Sequence, residues 1–111
     1  MKTAWLAPDD TRWTTALEQL PHDVYHLPGY VEVAAGHEGG RPVAFLAEEG
    51  QSRLLIPLLI RDVPAALADG GHWKDATGPY GYATPLLTRG AEAEGFLEAF
   101  VESASGRGLV T

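Results

Sequence analysis

Apolar positions along this chain repeat first at helical spacing, then at strand spacing, then at helical spacing again. Trp13, Ala16, Leu17 and Leu20 recur every three to four residues behind Asp9, Asp10 and Thr11. All three are good N-caps, so the pattern predicts an amphipathic helix, and Pro21 ends it. Residues 22–26 read as a connector. Leu27-Pro28 then opens a short second helix with proline in its first turn and Tyr30, Val31, Val33 and Ala34 on its apolar side. Gly36 to Gly40 reads as a loop.

From Arg41 the period shortens. Residues 41–48 predict a strand, Glu49-Gly50-Gln51 a hairpin turn and residues 52–61 the return strand. From Leu54 to Ile60 every position is apolar, as in a strand buried on both faces between helices. Pro57 removes one ladder donor from that run, which predicts an edge position or a bulge. Residues 62–74 form a connection of unassigned shape containing Gly70-Gly71, and residues 73–77 a third short strand. A helix is expected over about 91–105, entered from Thr88 or Arg89-Gly90. Phe96, Leu97, Phe100, Val101 and Ala104 form its buried stripe, Glu92, Glu94, Glu98 and Glu102 face water, and Gly106 and Gly108 cap its end. Leu109-Val110-Thr111 reads as a strand just begun. The expectation is therefore a single α/β domain over residues 1–111, truncated: the front piece of a longer protein, or a chain cut inside a domain. An unfinished sheet of this kind leaves an edge open to self-association.

Composition narrows the function classes. The 111 residues suffice for one modest core, and 45% hydrophobic with 21% charged residues is ordinary globular composition. A net charge of −7, two lysines (Lys2, Lys74) and six scattered arginines argue against a dedicated nucleic-acid binder. The absence of cysteine excludes disulfides, thiolate metal sites and cysteine nucleophiles. Pro8-Asp9-Asp10 interrupts any leader-like start, and the run from Leu54 to Ile60 is far short of the ~20 apolar residues of a spanning helix. A cytoplasmic protein without a membrane span is expected.

The most specific stretch is Asp75-Ala76-Thr77-Gly78-Pro79-Tyr80-Gly81-Tyr82-Ala83-Thr84-Pro85-Leu86. In an extended segment Tyr80 and Tyr82 fall on one face, and Gly81 leaves the backbone between them bare for a ligand. Pro79 stiffens the turn before them. Two phenols offer rings for stacking and hydroxyls for hydrogen bonding, and Asp75 stands at the entrance as a carboxylate that can orient an amine or hydroxyl. Asp75, Tyr80, Gly81 and Tyr82 are thus the candidate substrate-binding residues. The competing reading is a well-made turn, with the tyrosines filling a core edge and Asp75 capping its own turn. His22 and His26 are four apart, but Asp23 stands where a zinc-protease helix needs glutamate, so a connector with one histidine bonded to backbone is the better reading and no metal site is assigned. His37 and His72 lie in glycine-rich stretches and are expected to be solvated. Gly36-His37-Glu38-Gly39-Gly40 precedes a strand, whereas a phosphate cradle precedes a helix.

Three segments together carry a family resemblance: Asp23-Val24-Tyr25-His26-Leu27-Pro28-Gly29-Tyr30, the hairpin of Val43–Glu48 and Arg53–Arg61, which ends in Pro57-Leu58-Leu59-Ile60-Arg61, and Asp75-Ala76-Thr77-Gly78-Pro79-Tyr80-Gly81-Tyr82. The order resembles the N-terminal half of Fem-like proteins of the GNAT superfamily, the peptidoglycan-bridge aminoacyltransferases and related acyltransferases. Their segments read D-x-Y-x-x-P-x-Y, P-x-x-x-R and D-x-x-S/T-P-Y-G-Y-G-G-P-L. This chain departs from the last by inserting Gly78 and by carrying Ala83-Thr84 in place of paired glycines. The resemblance implies a partial GNAT-like fold with a mixed, mostly antiparallel sheet flanked by helices. It also implies acyl or aminoacyl transfer to an amine acceptor, a small molecule or a peptidoglycan precursor, with acyl-CoA or aminoacyl-tRNA as donor to the parent protein. The family's donor loop, Q/R-x-x-G-x-G/A, is not found in these residues. The chain alone is accordingly expected to be inactive, and no catalytic residue is carried over. A non-enzymatic α/β module that binds a saccharide or peptide on the same tyrosines is the alternative.

Overall fold

A strand with no polar face needs cover on both sides, and the residues from 41 to 62 build the fold around that requirement. The computed structural model describes residues 1–22, 26–62, 74–77 and 85–109, with residues 62, 74, 75 and 77 described by their backbone alone. Strands β2 (Arg41–Glu49) and β3 (Ser52–Asp62) form one long antiparallel hairpin, in register from Glu49↔Ser52 to Arg41↔Ile60. Strand β1 (Lys2–Leu6) pairs antiparallel with β2, and β4 (Lys74–Thr77) and β5 (Leu86–Leu87) both pair antiparallel with β3. The sheet order is β1-β2-β3-β4, with β5 beside β3 as well. The α/β class is as the sequence predicts. Among the described residues the four ladders of the sheet are antiparallel.

Helices cover both faces. Helix α1 (Thr11–Glu18) is capped by Asp10, whose carboxylate accepts from the Arg12 N–H at 3.0 Å. It ends at Glu18, ahead of Pro21. The predicted stripe Trp13, Ala16, Leu17 and Leu20 is buried against Leu6, Ala44, Leu46, Leu55 and Leu59. Helix α2 (Pro28–Glu38) adds Val31 and Ala34 to this core, with proline at its start as predicted. Buried among them, the Trp13 indole N–H donates to the His26 carbonyl at 2.9 Å, tying the connector between the helices to the core.

The opposite face is formed by Val43, Phe45, Ala47, Leu54, Ile56, Leu58 and Ile60, with Phe96 of helix α3 (Ala93–Gly106) packed on them. Trp5, Phe45 and Phe100 make an aromatic cluster, with edge-to-face ring centroids 5.1 and 5.2 Å apart. The Trp5 indole N–H donates to Ser103 Oγ at 2.8 Å, which fixes the last turns of α3 over the first strand.

Several sequence expectations are corrected. Strand β1 was not foreseen: five residues are too few for a periodic signal. The glycine-rich run is not all loop, because Gly36, His37 and Glu38 continue α2 and only Gly39 and Gly40 turn. In α3, Leu97 and Val101 are 42% and 61% exposed, so the buried stripe is narrower than predicted. Its N-cap is Glu92, without a side-chain hydrogen bond, and not a residue from 88 to 90.

Gly40 is the tightest point of the α2–β2 turn. Its φ of +94° lies in the left-handed region, and a Cβ there would stand 2.9 Å from Arg61 Cγ and 3.1 Å from the Ile60 carbonyl oxygen. Gly40→Ala is expected to cost roughly 1–3 kcal/mol from backbone strain, more if Arg61 does not shift aside, read as a lower urea midpoint at unchanged m-value. Gly36→Ala, in the helix with open space around it, is the contrasting substitution and should be neutral or stabilising.

Candidate functional site

Hairpin geometry decides which edge of β3 is available. The two-residue turn of Gly50 and Gln51 closes on Glu49 and Ser52. From that pair onward the backbone groups alternate in direction, so Arg53, Leu55, Pro57, Leu59 and Arg61 turn theirs away from β2. Arg53 bears this out: its N–H donates to Thr88 Oγ1 at 2.8 Å and its carbonyl accepts the Thr88 N–H at 3.0 Å. Pro57, fully buried, therefore has its missing N–H on the β4/β5 side.

The described ladders leave a break at that place. Leu55 faces Leu86 and Leu59 faces Thr77. Four steps along β3 are thus matched by nine along its partner, five more than an uninterrupted strand needs. Among the described residues, Ile56, Pro57 and Leu58 have no ladder partner on this side. Pro57 is neither on an edge strand nor in a bulge of its own strand: β3 is central and its register with β2 is unbroken. The missing donor lies on the side of β3 that carries the two described ladders, between the positions they pair.

The run singled out in the sequence spans this break. Asp75 lies in β4, directly across from Arg61, two residues before the strand ends. Tyr80, Gly81 and Tyr82, together with His72 and the Tyr25 segment, lie outside the described residues. At the near end, Arg61 also packs over Gly40, so the α2–β2 turn and β4 meet on one arginine. Sequence reasoning found Pro57 and the Asp75 run separately; it had no signal that Asp75 pairs with Arg61, four residues beyond Pro57 on the same strand.

The histidine reading resolves simply. His22 Nδ1 is 2.9 Å from the Leu20 carbonyl, and neither His22 nor His26 lies in α1 or α2. His26 is buried, and its carbonyl takes the Trp13 indole. His37 is in the last turn of α2 and exposed. Among the described residues no group of three or more His, Asp or Glu side chains converges as a metal site needs, and no helix is long and apolar enough to cross a membrane.

At the hairpin end, a cavity of about 330 Å³ is lined by Lys2, Thr3, Ala4, Arg12, Leu46 and Glu48. Two of its charged residues, Arg12 and Glu48, are paired. Arg53 Nε is 2.7 Å from Glu48 Oε2, and Arg12 clasps the Asp10 carboxylate through Nε and Nη2, the latter at 2.7 Å. No family model matches the chain, and neither a curated protein nor a solved structure matches it.

The hydrogen bonds from the Arg12 side chain and backbone N–H hold the Asp10 carboxyl at about 2, down from 3.8. A carboxyl depressed in the fold adds stability that is fully present above about 3.8 and is lost as pH falls toward 2. The difference in stability between the wild type and Asp10→Asn, which keeps a capping oxygen but has no proton to gain, is expected to be constant above pH 4 and to shrink between pH 4 and 2. Side-chain carboxyl NMR should place the Asp10 midpoint near 2.

Proposed function

We propose that this chain supplies the acceptor-binding part of a GNAT/Fem-like N-acyltransferase that works in the cytoplasm on cell-envelope or polysaccharide precursors. The observation that carries this reading is the interrupted edge of β3. Two short strands lie on one side of a central strand, separated opposite a buried proline, and the Asp75–Leu86 run connects them. Between these two ladders the Pro57 carbonyl is the β3 acceptor directed to that side, which suits a ligand that brings N–H or O–H donors. An amine-bearing sugar or peptide precursor is such a ligand.

In the proposed reaction the acceptor amine attacks the carbonyl of a thioester (acyl-CoA) or an ester (aminoacyl-tRNA). A C–N bond forms, the C–S or C–O bond breaks, and the amine loses a proton as the thiol or hydroxyl leaves. Asp75 orients the ammonium or its neighbouring hydroxyl, Tyr80 and Tyr82 stack on and hydrogen-bond the acceptor, and Gly81 lets it approach the backbone. The role assigned to these residues is acceptor binding; the donor and the catalytic groups are left unassigned. A saccharide- or peptide-binding module without turnover would use the same surface, and the two readings separate on whether acyl transfer accompanies binding.

Binding of a nucleotide-linked muropeptide carrying a free amine is the test, followed by calorimetry and by amide NMR. Tyr80→Phe and Tyr82→Phe are each expected to weaken binding roughly three- to tenfold while leaving the unfolding midpoint in place. No binding by the wild type, or lost stability with unchanged binding, would count against the proposal. Transfer from acetyl-CoA or an aminoacyl-tRNA in the same mixture would distinguish the enzyme from the binding module.

A further inference from the structure

The six arginines are scattered in sequence, yet two of them meet in the fold. A cavity of about 240 Å³ between the start of β2 and the end of α3 is lined by Arg41, Ile60, Arg107 and Leu109. The chain has 15 acidic residues, ample to neutralise its arginines, and elsewhere it does so: Arg12 pairs with Asp10 and Arg53 with Glu48. Among the described residues neither Arg41 nor Arg107 has an ion pair or a side-chain hydrogen bond.

Both positions are fixed by backbone geometry. Helix α3 ends in a Schellman motif: the Gly108 N–H donates to the Ser105 carbonyl at 3.1 Å and the Leu109 N–H to the Ala104 carbonyl at 3.0 Å, with Gly108 at φ +79°. That turn places Arg107 and Leu109 at the cavity and satisfies carbonyls that would otherwise repel an anion there. The Arg107 guanidinium lies 4.9 Å from the Trp5 ring centroid, and Trp5 is itself held by its bond to Ser103. Stacking occupies the face of a guanidinium and leaves its in-plane N–H donors available. On the other side, the Gly39–Gly40 turn delivers Arg41 as the first residue of β2, opposite Ile60.

We propose that this cavity is a binding site for a dianionic phosphate group. Two guanidiniums carry two charges and two donor forks. A carboxylate satisfies one fork, whereas the terminal oxygens of a phosphate can be shared by both. Ile60 and Leu109 supply apolar contact for whatever the phosphate is esterified to. The site lies at the C-terminal end of α3, independent of the interrupted edge of β3 and of the acyl-transfer reading.

The test is titration of the full chain with inorganic phosphate, phenyl phosphate and acetate at matched ionic strength, following the Arg Nε–Hε signals by NMR. Saturable shifts of Arg41 and Arg107 and of the Gly108 and Leu109 amides are expected with both phosphates. Acetate should bind at least tenfold more weakly. Tighter binding of phenyl phosphate than of inorganic phosphate assigns the site to a phosphate ester, and equal binding assigns it to free phosphate. Arg41→Gln and Arg107→Gln should each weaken phosphate at least tenfold while the remaining amide spectrum stays in place. Shifts that do not saturate, equal binding of acetate, or phosphate affinity unchanged in both variants would overturn the proposal.

Discussion

The structure depends on burying β3 on both faces. A strand that is apolar at seven consecutive positions cannot present a side to water, so its two neighbours in the sheet are not enough; it needs a helical layer above and another below. The chain meets this with α1 and α2 on one face and α3 on the other. Each layer is then fastened by a tryptophan. Trp13 joins the α1 layer to the connector through the His26 carbonyl, and Trp5 joins the sheet to α3 through Ser103. An indole N–H buried without a partner would be costly, so these bonds fix where the helices sit as well as holding them.

A central strand of this kind makes Pro57 informative. Within a fully paired sheet a proline leaves an acceptor without its donor. Here the strand keeps its register with β2, and the partner on the other side is divided instead. On backbone hydrogen bonding, the least costly place for the extra residues between the two ladders is opposite Pro57. A loop inserted at another point of that edge would strand N–H groups of β3 in the core, whereas at Pro57 there is no N–H to strand.

The β2–β3 hairpin was legible because its period, its glycine turn and its length all agree; the structure differs from the sequence reading by one residue at the end of each strand. The stripe of α1 was legible for the same reason. Strands β1 and β5 were not, because five and two residues carry no period and are strands only through their partners. Leu97 and Val101 were misread as core because helical spacing identifies an apolar face without saying how wide the covering surface is; the sheet reaches Phe96 and Ala104 and stops short of their neighbours. Gly36 was read as a loop residue from composition alone, while its backbone continues the helix and only Gly39 and Gly40 carry the positive φ that requires glycine. For the candidate site, the sequence pointed to Asp75 but not to its place opposite Arg61, which depends on a pairing between separate strands.

Charge placement follows the same logic of nonlocal pairing. Nothing in the spacing of six arginines distinguishes those that end beside a carboxylate from those that do not. Arg12 is matched by a residue two positions away and Arg53 by one five positions away across the hairpin, so local geometry neutralises both. Arg41 and Arg107 are brought together only when α3 docks on the sheet, and the docking contacts there are aromatic and apolar. Among the described residues, Arg41 and Arg107 line this cavity without an ion pair, in a chain whose acids outnumber its lysines and arginines 15 to 8. The glycine turns at 39–40 and 108 set the backbone from which both arginines project.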